Sequence, residues 1–163
     1  MTSVLDGVGV SPGRGAGVVV TMPAPVPEPA ASTLGPDADV EAAVAAIDDA
    51  VRSVQADLAA RAARATGTAV EVLTVTAAMA ADTTLSKESA RKVRDERTAP
   101  ERAVWEAAGD LAARLESLGG MMAERAHDVR DVRERIVAAL TGRRSRRART
   151  GGRDPVLPAP DGP

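Results

Sequence analysis

The chain has 163 residues, 44% hydrophobic and 27% charged, the balance of one soluble globular domain. One Trp, no Tyr, no Phe and no Cys exclude disulfides, zinc-thiolate sites and thiol nucleophiles, and leave burial to Ala, Val, Leu, Ile and Met. The net charge of -2 hides an asymmetry: residues 1–142 hold 21 acids against 15 bases, and six arginines follow, so the acidic body favours a basic partner surface over nucleic acid.

The first residues lack the basic and apolar regions of a secretory signal. No apolar run approaches the roughly 18 to 20 residues that span a bilayer. The expectation is a cytoplasmic protein with no membrane association. Residues 1–22 read as a short N-terminal β segment in which Val8 and Val10, a Ser11-Pro12-Gly13 turn and Val18-Val19-Val20 alternate with glycine. The cluster Gly7, Gly9, Gly13, Gly15 and Gly17 invites a phosphate-loop reading, but no Gly-Lys-Ser/Thr follows, and strand-and-turn punctuation explains it better. Residues 23–38, with Pro23, Pro25, Pro27 and Pro29, read as an extended Pro-rich linker.

Helical periodicity begins at Asp39, a predicted N-cap with Glu41 near the positive end of the helix dipole. Val40, Val44, Ile47, Val51, Val54 and Leu58 recur at gaps of 4, 3, 4, 3 and 4, which predicts a long helix to about Ala65 ended by Gly67. A second helix is expected over Thr68–Ala81, and Asp82-Thr83-Thr84 caps a third through Leu85, Ala90 and Val93. Thr98, Pro100 and Glu101 match a capping box for a fourth, whose Val104, Ala108, Leu111, Leu115, Leu118 and Met122 repeat the same gaps. Gly119-Gly120 breaks it. A last helix over Met121–Leu140 puts Met122, Val129, Val132, Ile136 and Ala139 on one side, and Gly142 ends it.

The fold class expected is therefore mainly α: an antiparallel helical bundle over residues 39–141, with a short β segment before it and a disordered tail over residues 142–163. A parallel homodimeric coiled coil would use the same stripes, but the breaks at Gly67, Asp82 and Gly119 favour an intramolecular bundle. His127, the sole histidine, lies off the apolar stripe among acids and arginines, which suits a surface histidine better than a general base or phosphoacceptor. No catalytic residue, metal ligand or cofactor is assigned to the chain. Met79, Met121 and Met122 fit core filling or an adaptable binding surface. The arginine tail fits a solvated segment, or charge-driven nucleic-acid binding as a lesser alternative.

Three segments together resemble one family. Gly7-Val8-Gly9-Val10-Ser11-Pro12-Gly13, with Gly15-Ala16-Gly17 and the valines after it, resembles the N-terminus of Enzyme I of the bacterial sugar phosphotransferase system, the phosphoenolpyruvate-protein phosphotransferase. Met79 to Leu85 is similar to that family's helix break, with Thr83 where proline is usual. The run Glu124-Arg125-Ala126-His127-Asp128-Val129-Arg130-Asp131 is close to its Glu-Arg-Ala-x-Asp-Val-Arg-Asp signature.

The resemblance implies a helical, HPr-binding-like subdomain that docks the phosphocarrier HPr, inserted into a phosphohistidine subdomain of which residues 1–22 would be a part. The family's phosphorylated histidine lies downstream in a Gly-Gly-x-x-Ser-His-type segment, and its full-length members use magnesium; neither that segment nor the phosphoenolpyruvate site occurs in this sequence. The chain alone is thus expected to be inactive and to look truncated before the phosphohistidine. Carried over, the HPr-docking residues are Glu71, Met79, Asp82, Leu85, Trp105, Leu115, Met122 and Arg125. The family's acids before the second helix are replaced by Gly67 and Thr68, and a frequent histidine by Thr76. The reading from a different class is a helical scaffold that self-associates through the Val40 to Leu58 stripe.

Overall fold

The computed structural model describes residues 24–142, which form five helices: α1 (Val40–Ala62), α2 (Thr68–Ala80), α3 (Thr83–Glu96), α4 (Pro100–Leu118) and α5 (Gly120–Leu140). The predicted β segment and the tail from residue 143 onward lie outside the described residues.

Most helix boundaries have a local cause. Asp39 is extended, at φ -74° and ψ 109°, and its carboxylate accepts the Ala42 N–H at 3.0 Å. Asp82 does the same for α3, accepting the Thr84 N–H at 2.8 Å. The α4–α5 turn is made by Gly119 and Gly120, at φ 70° and 55°, two successive left-handed residues that side chains with a Cβ rarely adopt. The predicted capping box of α4 is not formed. Pro100 forces the residue before it out of the helical region, so Ala99, at ψ 144°, takes the cap position with no side-chain bond. Thr98 is buried in an antiparallel bridge with Thr33 instead.

The helices pack as a four-membered up-and-down bundle whose second member is broken into α2 and α3. The Gln55 amide on α1 donates to the Ala80 carbonyl at 3.2 Å, and Arg94 near the end of α3 reaches back to Glu41 at the start of α1, so α2 and α3 together run antiparallel to α1. Lys92 pairs with Glu106 and Asp110, and Arg130 with Glu116, which sets α4 against α3 and α5 against α4. α1 touches each of the other four helices, whereas α2 touches only α1 and α5.

This arrangement places the first heptad stripe inside one chain. Val44, Ile47, Val51, Val54 and Leu58 are all buried, with Ile47 1% and Leu58 0% exposed. The stripe therefore offers no surface for self-association, and the parallel-dimer alternative fails. α4 contributes Ala103, Val104, Ala107, Ala108 and Ala112 to the core. A buried face made almost wholly of alanine lets neighbouring helices approach closely, the solution open to a chain without Phe or Tyr. The second stripe holds only at its start: Val104 and Ala108 are buried, but Leu118 is 71% and Met122 48% exposed. On α5, Ala138 faces the core and Ala139 the solvent, reversing the expected choice.

Residues 24–38 form no helix, turn at Pro36-Asp37 and are fastened to the bundle. Val26 is buried, Leu34 donates its N–H to the Arg97 carbonyl at 2.7 Å, and Ala99 donates to the Ser32 carbonyl at 3.0 Å. Glu28 and the Pro29 carbonyl both accept from Arg102. Arg97, left-handed at φ 52°, ends α3 and aims its guanidinium at the carbonyls of Gly35, Pro36 and Ala38.

Candidate docking site

The break between α2 and α3 opens a hollow of about 60 Å³, lined by Met79, Asp82, Leu85, Leu111, Val129 and Val132. Its floor is apolar because the four helices that meet there, α2, α3, α4 and α5, each supply an apolar residue. Its rim carries the Asp82 carboxylate. That carboxyl is held below its ordinary value of 3.8, first by the Thr84 backbone N–H and then by the Thr84 hydroxyl, so it is ionised at neutral pH.

Moving from the hollow toward the hairpin tips, α2 leads back to Val75 and Val72, α4 on to Leu118, and α5 back to Met122 and Met121. Met79 to Val72, Leu111 to Leu118 and Val129 to Met122 are each seven residues, about 10 Å of helix, so these side chains reach one level of the bundle. They are also the large hydrophobics left exposed among the described residues: Val72 56%, Val75 50%, Leu118 71%, Met121 79% and Met122 48%. The hollow thus continues into an uncovered apolar tip. Glu71 is exposed beside it on α2, and the Glu116–Arg130 pair at 2.7 Å ties α4 to α5 close by.

The eight residues predicted for docking fall into three groups. Met79, Asp82 and Leu85 come together at the hollow. Glu71, Leu115, Met122 and Arg125 lie toward the tip, with Leu115 half-buried and the other three exposed. Trp105 stands apart, six residues from Leu111 toward the start of α4. It is half-buried, and the Arg133 guanidinium covers its ring at 3.6 Å from the centroid. Burial pushes that guanidinium below its ordinary value, and its Nε has no hydrogen-bond partner. The Trp105 face is therefore occupied from within the chain.

Sequence reasoning missed the exposure of Val72, Val75 and Leu118, because a stripe does not reveal where its partner helix stops, and left Met121 open between core and surface. It also missed the Trp105–Arg133 stack, which joins residues 28 apart. Asp131 and Arg135, four residues apart on α5, bond at 3.1 Å with Arg135 only 5% exposed. His127 is exposed on α5. Among the described residues no group of three or more His, Asp or Glu is placed to hold a metal ion, and no helix is long and apolar enough to cross a membrane.

A family model described as PEP-utilising enzyme, N-terminal, matches residues 6–125. The chain belongs to that family. The family match takes in α1 through α4 and the beginning of α5. Phosphoenolpyruvate-protein phosphotransferase of Streptomyces coelicolor is 42% identical over 142 residues, which is 87% of this chain and 25% of the relative. The chain therefore spans about a quarter of the length of that curated relative. Among solved structures, a solution structure of an Enzyme I protein is similar with a TM-score of 0.57 and 28% identity, covering 63% of this chain and 44% of that one. The helical bundle is that of the Enzyme I N-terminal domain.

Proposed function

We propose that this bundle docks the phosphocarrier HPr, as the carrier-binding part of a cytoplasmic phosphoenolpyruvate-protein phosphotransferase in sugar uptake. The observation that carries the reading is the apolar hollow between Met79, Leu85 and Val129, continuous with the uncovered tip and rimmed by the ionised Asp82. An exposed apolar surface of this kind on a domain of this size marks an interaction site. HPr, which presents basic residues around its own histidine, fits a body with 21 acids against 15 bases, since opposite charge steers encounter. No phosphoryl transfer is assigned to residues 24–142: the carrier binds here, and the chemistry belongs to a histidine elsewhere in such an enzyme.

The reading divides the labour between surfaces. Met79 and Met122 supply apolar contact over a floor that includes the buried Leu85, with methionine able to adapt to the partner's shape. Glu71 and Asp82 supply charge, while Trp105 supports α4 from behind through the Arg133 stack. Titration of isotope-labelled HPr from the same organism tests this. Binding should shift HPr resonances around its histidine, and Met79→Glu should weaken it at least tenfold; no shift at millimolar protein overturns the reading.

A further inference from the structure

We infer that α2 opens as a unit while α1, α3, α4 and α5 stay folded, and that carrier docking closes this opening. The second half rests on the docking reading above; the first does not.

Four observations in combination mark α2, although α4 and α5 share the first of them. Its start is uncapped: Gly67, at φ 60°, offers no side-chain oxygen to the orphan N–H groups. Its sequence, TAVEVLTVTAAMA, has six β-branched residues in 13, and Val70, Val72, Thr74 and Thr76 alternate in the pattern of a strand. Two of the threonines turn their hydroxyls on the helix itself, Thr74 to the Val70 carbonyl and Thr76 to the Val72 carbonyl, both at 2.8 Å. Glu71 is the sole charge, so no i,i+4 ion pair forms within the helix.

Tertiary packing of α2 is shallow. It lies along α1 with Leu73, Ala77 and Met79 half-buried against the core and fully buries only Ala80, whereas α3, with 14 residues, buries Leu85, Ser89, Ala90 and Val93. It contacts α1 and α5 alone. Its last turn is clasped by the Gln55 amide on the Ala80 carbonyl. Beyond that clasp α3 has its own start, since Asp82 caps it through the Thr84 N–H. Unravelling from Gly67 to about Met79 therefore leaves the cap of α3 intact, and stability is divided at Asp82 rather than shared across the break.

Docking enters through linkage. Val72, Val75 and Met79 are on α2, so a carrier that needs them binds the closed form and holds it closed.

Native-state hydrogen exchange on residues 1–163, followed by NMR at low denaturant, tests both halves. Amides of residues 71–79 should be protected at least about a hundredfold less than those around Ile47, Val104 and Ile136, with little denaturant dependence. Ile136→Val, distant from α2, should lower core protection roughly two- to tenfold and leave α2 unchanged. Equal protection throughout, or a parallel fall in α2, overturns the separate opening. HPr at a hundred times its Kd should then raise α2 protection about a hundredfold. Binding that leaves α2 protection unchanged overturns the coupling. Absence of any HPr binding overturns the docking reading and the coupling with it, while exchange in the free protein still decides whether α2 opens.

Discussion

The two ends of the bundle are built on opposite terms. At the strapped end, residues 24–38 bridge the α3–α4 corner, Arg97 gathers three carbonyls, and Arg102 joins Glu28 and Glu106. At the tip end, α2 is uncapped and buries one residue, and five large hydrophobics face solvent. Arg94, Arg97 and Arg102 at the first end find partners inside the chain, whereas the large apolar groups at the second stay uncovered. The difference teaches that one region fixes the geometry while the other leaves apolar side chains uncovered, so the docking surface proposed for the tip would not depend on the contacts that hold the fold.

Mutations should expose the contrast. Ile136→Ala, at a position 1% exposed nearer the strapped end, should cost about 2 to 5 kcal/mol in urea unfolding. A loss near zero would mean that this end is not the rigid one. Ala103→Leu should cost about 1 to 3 kcal/mol, because α4 lies against its neighbours through small residues and a larger side chain must push them apart. Asp82→Ala removes the cap on the boundary between the two regions and should lower stability by about 1 kcal/mol, seen as reduced far-ultraviolet ellipticity near the melting point.

Acid should act on the strapped end through Glu106. Its carboxyl lies below the ordinary value of 4.5, chiefly through the hydrogen bond from Arg102 and next through that from Lys92. A lowered folded-state value means that the stabilisation is fully present above pH 4.5 and is lost as the pH falls through the lowered value. Glu106→Gln should therefore flatten the fall in urea midpoint below pH 4.5; an unchanged acid limb would remove this pair from the account. The smallest effect on stability is expected at the tip. Leu118→Ser, at a position 71% exposed, should change unfolding free energy by less than about 0.5 kcal/mol while weakening HPr binding several-fold. A large loss of stability there would erase the distinction between the ends.

How much of this was legible depended on which residue carried the signal. The α1 stripe was readable because Val, Ile and Leu are distinctive at heptad spacing, and the aspartate caps because one side chain decides each of them. The alanines of α4 were not: alanine is the best helix former and also common on surfaces, so its period does not tell buried from exposed. The strap was hidden because its bonds are non-local. Thr33 meets Thr98 and Gly35 meets Arg97 across more than 60 residues, and proline-rich composition says only that the segment is extended. Of the residues carried over for docking, Met79, Asp82 and Leu85 at the helix break lie together in the structure, whereas Trp105, a single aromatic, stands apart from them.

The strap has one more consequence, for traffic rather than for stability. Glu28 is anchored beside Arg102 at the beginning of α4, and α5 delivers the chain to Leu140 beside Ala46 and Asp49 of α1. The polypeptide therefore joins and leaves residues 24–142 at one end, and the apolar tip lies a helix length away, about 30 Å along the 21 residues of α5. A partner docked at the tip as proposed would therefore sit about that distance from the points where the chain enters and leaves residues 24–142.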